Sequence, residues 1–268
     1  MPDFFIQNIF VPTFCERRYH DQKSGRRAIV FTINSPRSGR MSRWIAALML
    51  LCCSPGKGQQ TIVTVAGEPV NLDAVKQQLK KYQSCGQGNC YVPQLEHQAE
   101  IAIQFLKQSV AAAHPEEKLA LVLDIDETSL SNWSVETHDD FGYIPNDSNW
   151  CIALRCGKAI PSTLRVFREA ESDKVAVFFI TGRPEGQRAD TEANLKAEGY
   201  DRWVELFLRP EDHPKDQTVS QYKSSDRAKI VAKGYRIILN IGDQMSDLVG
   251  DPQAEHSVKL PNPFYFIP

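Results

Sequence analysis

The sequence predicts an α/β fold, a doubly wound and mostly parallel sheet with helices on both faces. Three observations predict it. Apolar runs of strand length, 119–123 and 175–180 foremost, show no polar face, as strands covered on both sides do. Segments with helical spacing separate these runs. Polar residues then cluster directly after the strands, where an open parallel sheet places its ligand crevice.

In chain order, a short hydrophobic segment at 61–65 comes first. Asn71, Leu72 and Asp73 supply a helix start, and Leu72, Val75 and Leu79 share one face to about residue 83. Pro93 opens a longer helix to about 114, whose Leu95, Ala99, Ala102, Ile103, Leu106 and Val110 keep helical spacing and so need a packing partner. Strand 119–123 follows, then a polar and aromatic insertion, cap-like, over 127–158. Helix 161–172, strand 175–180, helix 184–198, strand 203–208, helix 223–233 and strand 236–241 complete the alternation.

Composition narrows the function. The 268 residues are 42% hydrophobic, ample for a core, which excludes wholesale disorder. A net charge of −2 gives no reason to expect a nucleic-acid polymer as partner. No apolar run reaches the ~20 residues of a membrane span, so no mature span is expected.

The charge is uneven. Residues 1–43 carry eight Lys/Arg against three acids, so the rest of the chain is acidic. Residues 1–40 are read as an extension that does not belong to the fold. Met41-Ser42-Arg43, about ten apolar residues over 44–53 and Ser54-Pro55-Gly56 read as a secretory signal peptide over 41–56, beginning at Met41. A buried helix is the alternative. The signal peptide predicts a periplasmic or secreted product with one domain over 57–268. Cys52 and Cys53 follow two leucines and allow a lipid anchor, although no small residue precedes Cys52. Cys85, Cys90, Cys151 and Cys156 form two C-x4-C pairs, open to reading as disulfides, free thiols or a shared zinc site.

The strand ends carry the chemistry. The first gives Asp124-Ile125-Asp126-Glu127-Thr128, the second Thr181-Gly182-Arg183 and the last Gly242-Asp243-Gln244 with Asp247 beyond; Lys223-Ser224 opens the preceding helix. Acids crowded at one rim repel one another unless a cation sits among them, and hard oxygen donors suit Mg²⁺. Two aspartates two apart can divide the work. One attacks phosphorus to form an aspartyl phosphate. The other protonates the leaving oxygen and then activates water. A threonine hydroxyl, a glycine amide and a lysine would stabilise the transferring oxygens.

Asp-x-Asp-x-Thr, Thr-Gly-Arg, Lys-Ser and Gly-Asp-x-x-x-Asp, in this order, resemble the four motifs of the haloacid-dehalogenase-like (HAD) phosphatases. The wording of the first motif through Asn132, and the tail from Lys259 to Tyr265, are similar to the acid phosphatase branch that includes bacterial class B and class C enzymes, plant acid phosphatases and vegetative storage proteins (subfamily III). The resemblance covers about 70–268 and implies a Rossmann-like core. By it, Asp124 is the nucleophile and Asp126 the general acid/base. Thr181, Gly182 and Lys223 bind phosphate, with Lys229 as rival to Lys223. Asp124, Asp126 through its carbonyl, Asp243 and, less securely, Asp247 hold the metal.

Between the first two motifs, Asn132, Trp133, His138 and Tyr143 belong to an aromatic, hydrogen-bonding stretch. It reads either as a wall that stacks on a base or aryl leaving group, or as a small satellite core. The expectation is an exported, Mg²⁺-dependent acid phosphatase acting on small phosphomonoesters, nucleotides being one choice. A phosphotransferase, and a storage or binding protein on the same scaffold, are the alternatives.

Overall fold

The computed structural model describes residues 16–20, 27–33, 61–214 and 216–267. The remaining residues of 1–40, and the signal peptide expected over 41–56, lie outside the described residues. The chain divides into two compact units, 1–71 and 72–268. In the first, strand β1 (Glu16–His20) runs antiparallel to β2 (Arg27–Ile33), which pairs in parallel with β3 (Thr61–Val65).

The second unit opens with helices α1 (Leu72–Ser84) and α2 (Tyr91–Ala112). Its sheet contains β4 (Lys118–Leu123), β7 (Ala176–Pro184), β8 (Glu205–Arg209), β9 (Tyr235–Gly242) and β10 (His256–Lys259), in the order β10-β9-β4-β7-β8 and parallel throughout. A two-stranded hairpin, β5 (Leu130–Ser131) with β6 (Lys158–Ala159), brackets the insertion. Inside it lie α3 (Trp133–His138) and α4 (Pro145–Ala153). The other helices are α5 (Pro161–Ser172), α6 (Arg188–Ala197), α7 (Val219–Ala232) and the single turn α8 (Met245–Leu248).

The sheet is doubly wound because successive strand residues feed two different cores. Leu121 and Leu123 of β4, with Val177 and Phe179 of β7, join Leu95, Leu106, Val166 and Phe167 from α2 and α5. Ala120 and Val122, with Phe178 and Ile180, point the other way and meet Ile230 of α7. The central β4 is thus buried on both faces, as its unbroken apolar run predicts. α1 is shallower than its periodicity suggests: Leu72 is exposed and only Leu79 and Tyr82 reach the core. The edge strand β10 was not expected from the sequence, since four residues with alternating exposure carry little signal.

Each C-x4-C pair closes on itself, Cys85 with Cys90 and Cys151 with Cys156. Among the described residues no helix is long and apolar enough to cross a membrane.

Candidate active site

β4 delivers Asp124 to the carboxyl edge of the sheet, where its amide still donates to Ile241 O of β9 at 3.0 Å. Lys223, on the second turn of α7, places Nζ 2.6 Å from Asp124 Oδ1 and 2.5 Å from Asp247 Oδ1. A capping box between Thr218 and Gln221 fixes where α7 begins, and so where this lysine points. Alone in the sequence, such a lysine reads as a solvated surface residue; here it is buried with both carboxylates. Burial pushes the Asp124 carboxyl well above its ordinary range, with Lys223 opposing the shift. Burial pulls the Lys223 ammonium down, but Asp124 and Asp247 outweigh it and hold the proton firmly. Lys229, the rival, pairs instead with Asp226 and lies over Phe207.

Asp243 completes the acidic group. Carboxylate oxygens of Asp124, Asp243 and Asp247 all lie within 4.8 Å of one another. Asp243 is held by Thr128 Oγ1 at 3.2 Å, Gln244 Nε2 at 2.7 Å and Asn262 Nδ2 at 2.6 Å. Burial and then Asp247 push its carboxyl up, although the amide donors resist. Three buried carboxylates share one ammonium, which leaves an excess of negative charge that low-dielectric surroundings make costly. An all-oxygen set with that excess fits a hard divalent cation. The Asp126 side chain takes no part in this set.

Asp126 faces other partners. Arg183 donates to it from Nη2 at 2.7 Å and from Nε at 3.1 Å and 3.2 Å, and Asn132 Nδ2 donates at 2.7 Å. Burial alone would raise its carboxyl, but the guanidinium and the amide overcome that and hold it below the ordinary range. Arg183 itself is only 4% exposed. Sequence reasoning saw Arg183 inside the second motif without giving it a role, because nothing local to Thr-Gly-Arg says which carboxylate it meets. Next door, Glu127 sits at positive φ and accepts from Asn132 N and Tyr91 Oη, tying the turn to α2. Desolvation raises its carboxyl to about 8.

Thr181 is fully buried and accepts a bond from the Arg183 amide at 3.2 Å. The β4 ladder with β7 stops at Phe179, and the β8 ladder breaks between Ile180 and Pro184. Residues 181–183 are therefore free of strand pairing, and Gly182 faces a cavity of about 930 Å³. Asp124, Asp126, Asn132, Tyr143, Gly182, Lys223, Asp243 and Asp247 all line that cavity, whereas Thr181, Trp133 and His138 do not.

The insertion divides its two readings among its residues. Trp133 packs on Phe264 of the tail at 5.1 Å and on Phe141 at 5.9 Å, a satellite core. Tyr143 is 80% exposed on the cavity wall. His138 lies out in solvent, 3.8 Å from Asp147.

Two supports hold the metal-side loop. A Cβ on Gly242 would overlap the Asp247 side chain, so only glycine fits there. Arg227 of α7, wholly buried, donates to the carbonyls of Asp247, Val249, Gly250 and Pro252. Neither was anticipated.

Residues 56–268 match the HAD superfamily, subfamily IIIB (acid phosphatase). The chain belongs to this family. Among curated relatives, acid phosphatase 1 of Solanum lycopersicum is 37% identical over 155 residues, covering 54% of this chain and 58% of that protein. The stem 28 kDa glycoprotein of Glycine max is 35% identical over 159 residues, covering 58% of this chain and 61% of the other. Vegetative storage protein 1 of Arabidopsis thaliana is 33% identical over 153 residues, 55% of each. The chain thus spans about three fifths of the length of the first relatives. The fold is shared with a class C acid phosphatase from Bacillus anthracis with tungstate bound, which superposes with a TM-score of 0.59 at 24% identity, covering 73% of this chain and 86% of that one.

Proposed function

We propose that this protein is an acid phosphatase that hydrolyses phosphomonoesters through an aspartyl phosphate on Asp124. The observation that carries the reading is the separation of two aspartates two positions apart. Asp124 is bound by Lys223 beside the metal-fit carboxylates, while Asp126 is bound by Arg183 and Asn132 across the same cavity. The two carboxylates have different partners and so different tasks.

Asp124, Asp243 and Asp247 would hold the divalent cation, Mg²⁺ by the hardness of its donors, with the Asp126 carbonyl as a further ligand. Bound there, it would screen the phosphate's charge from the attacking carboxylate. The residues do the rest. Asp124 Oδ attacks phosphorus, and the P–O bond to the leaving group breaks. Lys223 and the Gly182 amide hold the equatorial oxygens, while Thr181, which does not line the cavity, supports the turn by accepting from the Arg183 amide. Asp126, an ionised carboxylate held by Arg183 and Asn132, would take the proton that a monoanionic phosphomonoester brings, pass it to the leaving oxygen, and then take one from the water that cleaves the acyl phosphate.

The substrate is a small phosphomonoester, for which Tyr143 and Phe141 on the wall favour an aromatic or base-bearing leaving group such as a nucleotide. Export from a signal peptide at 41–56 remains part of this reading; it is supported by the family match beginning at residue 56 and by the two locally paired disulfides. A storage role has the names of two relatives behind it and the intact Asp124/Asp126 pair against it. Release of phosphate from an aryl phosphate, lost on Asp124→Asn and reversibly on chelation, tests the enzymatic reading. Unchanged release in both would overturn it.

A further inference from the structure

Among the described residues, four that line the cavity carry a buried side-chain atom without a hydrogen-bond partner: Asp139 Oδ1, Gln187 Oε1, Arg209 Nε and Tyr222 Oη. Of these four residues, Tyr222 alone is buried as a whole. Its side chain is 4% exposed and lines the cavity, yet its oxygen has no hydrogen-bond partner among the described residues. A buried hydroxyl left unpaired carries a desolvation cost and calls for an explanation.

Its position supplies one. Tyr222 immediately precedes Lys223 on α7, so the two side chains diverge by about 100° round the helix. Both nonetheless reach the same cavity, which places it off the N-terminal end of α7. The hydroxyl lies 3.2 Å from the point a Cβ on Gly182 would occupy, beside the unpaired stretch 181–183. Asp124 and Asp247 are near enough to act on it electrostatically, as is the Lys223 ammonium. A donor therefore lines the cavity beside Gly182, on the residue next to Lys223.

We infer that Tyr222 donates a hydrogen bond from its hydroxyl to an oxygen of the bound phosphoryl group, as a further substrate-contacting residue of this site. The inference rests on the phosphatase reading above. Burial also raises the phenol well beyond any working pH, so the group stays a neutral donor and does not add a negative charge beside the phosphate. A donor to a charged oxygen inside a low-dielectric pocket is worth about ten- to a hundred-fold in rate.

The test compares the full chain with Tyr222→Phe, measuring hydrolysis of an aryl phosphate, competitive inhibition by inorganic phosphate and the melting temperature. We expect kcat/KM to fall by about ten- to a hundred-fold and the inhibition constant for phosphate to rise. The melting temperature should hold or climb, because the hydroxyl removed had no protein partner. Wild-type rates and unchanged phosphate affinity in Tyr222→Phe would overturn the inference while leaving the phosphatase reading intact. Lost activity with a lowered melting temperature and unchanged phosphate affinity would also overturn it, since that marks a packing role. A wild-type chain that releases no phosphate would sink both readings together.

Discussion

The carboxyl edge of the sheet and the insertion that overhangs it are built on opposite principles. At the edge, Asp124, Asp243, Asp247, Lys223 and Arg227 are buried, and each is bonded to groups far away in sequence. In the insertion, Tyr143, Trp150 and Leu154 are exposed, and the disulfide closes a loop of only five positions. Strand ends give positions that packing over-determines; the insertion gives a surface that can change at little cost. This contrast suggests that the edge carries the reaction and the insertion carries the choice of substrate.

The largest expected effect breaks the edge chemically. Asp124→Asn should reduce phosphate release by roughly four orders of magnitude or more, as loss of a nucleophile does. The variant should remain folded, since Lys223 keeps Asp247 as partner. A residual rate within ten-fold of wild type would place the nucleophile elsewhere.

Lys223→Met breaks the edge electrostatically. It leaves three buried carboxylates without their ammonium, which costs about 3–5 kcal/mol, and a melting curve run with and without Mg²⁺ should show the cation restoring much of the loss. No rescue would argue that the carboxylates do not form a cation site.

Arg183→Lys sharpens the difference between the two aspartates. A lysine cannot reproduce the forked contact with Asp126, so kcat should drop by about ten- to a hundred-fold while phosphate inhibition is nearly unchanged. Equal losses in both would mean that Arg183 also touches phosphate.

A smaller effect concerns pH. Glu127 holds its proton to about 8 in the fold against an ordinary 4.5. The folded state thus binds this proton more tightly than the unfolded chain does. The stability it contributes is complete below the unfolded value and is lost as pH climbs through about 8. With the cation chelated, the melting temperature should therefore fall from mildly acid to mildly alkaline solution, and Glu127→Gln should flatten that slope. An unchanged slope would locate the proton elsewhere. Tyr143→Ala should act least on the fold, leaving the melting temperature within about 2 °C and changing KM among leaving groups more than kcat.

The strand-helix alternation was legible because β4, β7 and β9 are covered on both faces, and a continuous apolar run of that length has no side to offer water. Three of the four polar clusters were legible because each closes a strand; the fourth, Lys223-Ser224, was expected to open a helix but sits on the second turn of α7, which begins at Val219. Harder to read were groups whose partners are set only by folding. Arg183 could have met any nearby acid; its choice of Asp126 depends on how β7 passes β4. Asn262 stood inside a tail noted for its pattern, yet its bond to Asp243 spans nineteen positions. Arg227 was invisible, since four carbonyl acceptors leave no side-chain signature. In the insertion, Asn132, Trp133, His138 and Tyr143 read as one stretch but went four ways: to Asp126, to packing, to solvent and to the cavity wall.

Arg227 has one last implication. By gripping the carbonyls of the turn that bears Asp247 from the same helix that bears Lys223, it makes cation and counter-anion parts of one rigid strut. A shift of that helix would then carry both charges with it. Without this clamp the chain would keep every charge at the site and lose only their synchrony.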